Sequence, residues 1–136
     1  MTPEIERELA TARYHLSAAK AIIGLDLAGV AAREAYIAAY HAAEAFIQTR
    51  TGSLAKTHRG VRSVFARLAQ AEPRLDPAFS RFLANAYEVK SVADYGGEPE
   101  GVSSDAARAI IDTAERMIGA IAEVLREDDG GQLDAR

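Results

Sequence analysis

Three groups of residues in this 136-residue chain have types and spacings that suit chemistry. The first is Lys56-Thr57-His58-Arg59-Gly60-Val61-Arg62, positive charge gathered where a helix begins. Cations at a helix N-terminus oppose the dipole by about 0.3 to 1 kcal/mol each, and a bound anion reverses that penalty because free backbone N–H groups and arginines both face it. The competing reading is a solvated basic turn. The second is Lys90 in an otherwise apolar stripe, one turn before Asp94. An ammonium turned inward must be paired or solvated, so Lys90 either pairs with Asp94, snorkels to water, or marks a polar cleft. The third is Arg33-x-x-Tyr36-x-x-x-Tyr40-His41, whose phenols are either core aromatics with a hydroxyl partner or the lining of a groove near Lys90.

Other chemistries are excluded. Gly52-Ser53-Leu54-Ala55-Lys56-Thr57 echoes a phosphate-binding loop, but it lacks the glycine before the lysine and follows a helix rather than a strand. A di-iron bundle needs Glu-x-x-His pairs, which the chain does not contain. His15, His41 and His58 fall on three different predicted helices, a spacing that does not argue for a metal site, so neither metal nor cofactor is expected. With no cysteine there is no disulfide, thiolate nucleophile or iron–sulfur cluster.

The elements that must position these groups are helical. Twenty-nine residues are alanine, and β-branched and aromatic residues are scarce, which argues against a β fold. Thr2-Pro3 caps a first helix to about Ile23 with the stripe Ile5, Leu9, Ala12, Leu16 and Ala19. Gly24 to Gly29 is read as the turn, and a second helix runs from about Val30 to Thr51, ending at Gly52. Its apolar arc is so wide that it must be central in the bundle or meet a second copy, and its polar strip is only Glu34, His41, Glu44 and Gln48. A third helix starts near Thr57 and ends by Pro73. Asp76-Pro77 opens a fourth with Phe79, Phe82, Leu83, Val89 and Lys90 on one stripe, and Ser103 or Ser104 caps a fifth carrying Ile110, Ala114, Met117, Ile121 and Val124. The predicted fold is all-α: an up-and-down antiparallel four-helix bundle with an additional shorter helix. Residues 1–126 form one domain, and 127–136 are read as a flexible acidic tail.

The net charge of −4 argues against an indiscriminate nucleic-acid coat, but the charge is unevenly placed. Arg50 to Arg67 holds five basic residues and no acid, whereas Ser91 to Arg136 holds eleven acids against four bases. The N-terminus lacks a basic segment followed by an apolar run, and the apolar stretch Ala35 to Ala43 is too short to span a bilayer, so a cytoplasmic protein without membrane association is expected.

Taken together, Arg33 to Phe46, Lys56 to Val61 and Ala93-Asp94-Tyr95-Gly96 resemble the HEPN superfamily, in particular its small stand-alone, UPF0332-like branch, often encoded beside a minimal nucleotidyltransferase. The resemblance implies a helical bundle, commonly a homodimer, acting in toxin–antitoxin or related defence systems. Toxic members are metal-independent ribonucleases with an Arg-x4-6-His motif near the end of a late helix. Here those two positions are Lys90 and Tyr95. A phenol with a pKa near 10 is a poor general base where an imidazole near 6.5 serves, and lysine lacks arginine's planar fork. The expectation is a degenerate ribonuclease motif (Lys90, Asp94, Tyr95) in a protein that binds a nucleotidyltransferase and a nucleotide or RNA through Lys56, His58, Arg59, Arg62 and Lys90, with Arg33, Tyr36 and Tyr40 lining the groove. Two alternatives stand beside it: a ribonuclease toxin with His58 or His41 as base, and a purely structural helical module in which Lys90 is simply ion-paired. A variant of the enzyme reading makes Tyr95 the acceptor of a nucleotide transferred by the partner.

Overall fold

The computed structural model describes residues 1–53, 57–85 and 102–134, without the side chains of residues 58 and 131–134. It is all-helical among the described residues: α1 (Pro3–Ile23), α2 (Ala28–Thr51), α3 (His58–Gln70), α4 (described over residues 78–85) and α5 (Ser104–Asp134). No described helix is long and apolar enough to cross a membrane.

The helix starts follow local chemistry. The Thr2 side chain accepts from the Ile5 N–H, with Pro3 in the first turn, and the Thr57 side chain accepts from Gly60. Asp76 accepts from the Ala78 N–H and Ser103 from the Ala106 N–H. Each cap satisfies an amide that the helix cannot pair internally. Gly52 ends α2 at φ 76°, where a residue with a Cβ is strained, and its N–H closes onto the Gln48 carbonyl. The α1–α2 turn is shorter than expected, since α2 begins at Ala28; Asp26, a residue type that tolerates the left-handed region, sits there at φ 62°.

Thr57→Ala is expected to lower stability by about 1 kcal/mol, read from the urea midpoint, with Thr57→Ser close to the parent. Equal midpoints for Thr57→Ala and the parent would show that the cap does not hold α3.

Side-chain pairs fix the topology. His15 meets Glu34 and His41 meets Glu8, so α1 and α2 are antiparallel. Lys20 meets Glu115 and the Met1 amine meets Asp129, so α1 and α5 are antiparallel as well. From Arg74, which shares Glu72 with Arg50, the chain climbs to Phe82, whose ring lies 5.1 Å from that of Tyr36. α4 therefore runs opposite to α2. Over the described residues α1, α2, α4 and α5 form the up-and-down set, and α3 is added beside them, docked by Phe65 edge-on to Phe46 at 5.8 Å.

α2 is the central helix. It packs on α1, α3 and α5 and reaches α4 through Tyr36, and eight of its alanines are fully buried: Ala31, Ala32, Ala35, Ala38, Ala39, Ala42, Ala43 and Ala45. Small side chains let neighbouring backbones come close, while Phe46, Ile47, Leu83, Met117 and Ile121 fill the layers between.

The acidic C-terminal segment departs from expectation. α5 continues through residues 127–134 instead of fraying after 126. Arg50 Nη1 lies 2.9 Å from Asp128, and Arg74 reaches Asp128 at 2.9 Å and Glu127 at 3.1 Å while gripping Glu72 at 2.5 Å. Hydrogen bonding to Arg74 holds the Glu72 carboxyl below its ordinary range, against a smaller upward push from desolvation. Counter-charge from α2 and from the α3–α4 connection thus lets a locally unfavourable run of acids stay helical.

Candidate functional site

The basic turn is carried on the first two turns of α3. Thr57 fixes where the helix starts, which makes His58 its first residue, leaves Arg59 exposed and sets Arg62 half-buried one turn on. Arg50, the first member of the basic run, does not belong to this surface: it is bound to Asp128 and Glu72 and lies over the Phe46 ring at 4.8 Å. Lys56 and the motif Lys90, Asp94 and Tyr95 lie outside the described residues, as does the His58 side chain.

Arg33, Tyr36 and Tyr40 divide between rim and core. Arg33 is half-buried, whereas Tyr36 and Tyr40 are 4% and 3% exposed and belong to the packed interior of α2. Burial pushes the Tyr36 phenol above its ordinary pKa, so it stays protonated. Among the described residues these two tyrosines face packed side chains rather than an open groove. An open cavity of about 400 Å³ does lie between α3 and α4, bounded by Ala66, Ala69, Leu75, Pro77 and Arg81, on a part of α3 remote from its basic first turn.

A separate cluster of titratable groups lies on the seam between α1 and α2. His15 Nδ1 is 2.7 Å from Glu34, and His41 Nδ1 is 3.2 Å from Glu8 and 3.9 Å from Glu44. The two imidazoles stack in parallel, 5.4 Å between centroids and 1° between planes. Spacing alone leaves the three histidines on separate helices, and it is the packing of α1 against α2 that brings His15 and His41 together. Glu44 is pushed up to about 7, first by desolvation, then by a hydrogen bond to Glu8 and by the Glu8 charge. Two carboxylates and an imidazole at such a distance can share a proton or hold a cation. The signal was present in the sequence: 8 and 41, like 15 and 34, are equidistant from the boundary between Gly24 and Leu25, so an antiparallel hairpin must set them opposite one another.

The model of the HEPN domain matches residues 5–125. A protein of Methanocaldococcus jannaschii named "Putative toxin MJ0605" is 29% identical over 124 residues, covering 91% of this chain and 90% of its own length. The "UPF0332 protein glr0978" of Gloeobacter violaceus is 28% identical over 127 residues, covering 93% of this chain and all of its own length. The matched span takes in all the helices that build the bundle and the segments that carried the resemblance. The chain belongs to the HEPN family.

Proposed function

We propose that this is a HEPN protein of a toxin–antitoxin or related defence pair, which binds a nucleotidyltransferase partner and takes a nucleotide or RNA on the basic surface that begins at α3. One observation carries the reading: the HEPN model matches residues 5–125, almost the whole chain, and the resemblance drawn from the sequence implies that Lys90 and Tyr95 stand in for the arginine and histidine of ribonuclease members. The name of the archaeal relative supports the toxin-type setting. The exposed Arg59 and half-buried Arg62 on the opening turns of α3 support an anion-binding role, since helix N-terminal amides and guanidinium groups attract the same ligand. In this reading Lys56, His58 and Lys90 also bind the ligand, the protein acts as a homodimer, and the degenerate motif leaves it without efficient RNA cleavage.

The test is titration with nucleotides and short RNAs, together with co-purification of a co-expressed nucleotidyltransferase from the neighbouring gene. Saturable, salt-sensitive binding is expected, weakened at least about tenfold in Arg59→Ala/Arg62→Ala. Absence of both a nucleotide or RNA complex and a recovered partner overturns the reading.

Of the two histidines offered as replacement bases for a ribonuclease, His41 is the less suited. It sits among Glu8, Glu44 and the stacked His15–Glu34 pair, and this acidic surrounding repels a phosphodiester. A ribonuclease reading therefore rests on His58, and growth arrest on expression that is lost in His58→Ala would favour it.

A further inference from the structure

The acidic seam between α1 and α2 is separate from the basic surface, and its geometry has a use of its own. We propose that Glu8, His41 and Glu44 form a binding site for one divalent transition-metal cation of the zinc class, linking α1 to α2.

Convergence is the first argument. One donor atom from each of the three side chains lies within 4.8 Å of the other two. A tetrahedral ion bound at about 2.0–2.1 Å sets its ligand atoms about 3.4 Å apart. The distances from His41 Nδ1 to Glu8 and Glu44, 3.2 and 3.9 Å, bracket that value. Only small side-chain rotations are needed to close the set. His41 and Glu44 are three residues apart on α2 and share a face, while Glu8 comes from the facing helix, so hairpin packing assembles the site.

Donor chemistry selects the ion. One imidazole nitrogen with two carboxylate oxygens suits zinc, manganese or cobalt, whereas magnesium favours oxygen ligands and keeps most of its water. The three side chains are each about a quarter exposed, which leaves a fourth position open to water. Among the described residues neither Glu8 nor Glu44 forms an ion pair with lysine or arginine, so their charges crowd one another with only His41 between them. The parallel stack on His15, itself fixed by Glu34, holds the His41 ring with Nδ1 toward the carboxylates.

The experiment uses the full chain stripped with chelator and dialysed, then titrated calorimetrically with ZnCl2, MnCl2 and MgCl2, with thermal melts in parallel. One equivalent of zinc per chain is expected, manganese weaker and magnesium weakest. The melting temperature should rise by on the order of 5–10 °C at a zinc concentration a hundredfold above Kd. Glu44→Gln should weaken zinc at least about tenfold and His41→Gln should abolish the transition, with far-UV circular dichroism confirming that both variants are folded. If a variant fails that check, Glu8→Gln replaces it under the same tenfold criterion. No saturable zinc binding to the parent overturns the proposal, as does binding of unchanged stoichiometry and affinity in the folded variants.

Discussion

Phe65→Ala is expected to cost about 3–5 kcal/mol of folding stability, measured as a fall in the urea midpoint. Phe65 is fully buried and stands edge-on to the equally buried Phe46, so the truncation removes both the area it shields and an aromatic pair at the α2–α3 contact. α3 is a short helix with little hold of its own. It relies on Phe65, Val61 and Ala69, all on one face, to stay against the bundle. The substitution should therefore also loosen the element that carries Arg59 and Arg62 and weaken any ligand bound there. Phe65→Leu should recover more than half of the loss, because it restores apolar volume without the ring. A cost below about 1 kcal/mol for Phe65→Ala would mean that α3 is not docked through this face.

Glu44→Gln should stabilise the metal-free protein at pH 8 and leave it nearly unchanged at pH 4. The folded protein holds the Glu44 carboxyl at about 7 instead of 4.5, chiefly by burial and secondarily by Glu8. A raised acid binds its proton more tightly when folded than when unfolded. The favourable contribution is then complete below about pH 4.5 and is lost as pH climbs through 7. A shift of that size corresponds to at most roughly 3 kcal/mol, and partial exposure of the carboxyl brings the expected gain for the neutral amide to about 2 kcal/mol at pH 8. Glu8 and His41 face the carboxyl directly, with His15 and Glu34 on the next rung, so the profile belongs to the cluster rather than to one residue. Urea titrations in chelator at pH 4, 6 and 8 measure it. A gain of the same size at all three would show that the amide acts by packing alone.

Local signals made most of the bundle readable from sequence. Thr2, Thr57 and Ser103 act within three residues of themselves, and the stripe Ile5, Leu9, Ala12, Leu16 and Ala19 is buried throughout because helical period alone decides which face those residues share. What escaped was information held by distant parts of the chain. Glu127-Asp128-Asp129-Gly130-Gly131 has the composition of a coil, and it is Arg50, Arg74 and the Met1 amine, all distant in sequence, that supply the counter-charge for a helix there. His15 and His41 read only as residues on two different helices until the α1–α2 register is imposed. Of the candidate site, the sequence marked the basic opening of α3 through its charge and its cap. It left Tyr36 and Tyr40 open between core and groove, because an amphipathic phenol suits either place.

The alanines of α2 also bear on the entropy of folding. An alanine has no rotamers to lose, so the eight buried alanines of α2 are immobilised at no side-chain entropy cost. Its cohesion comes from backbone proximity and from the larger residues that neighbouring helices lay across it. Glu8, the basic turn and Phe65 stand on those neighbours, so much of the side-chain chemistry is arranged around an axis whose buried alanines add backbone disorder but no rotamer disorder to the unfolded chain.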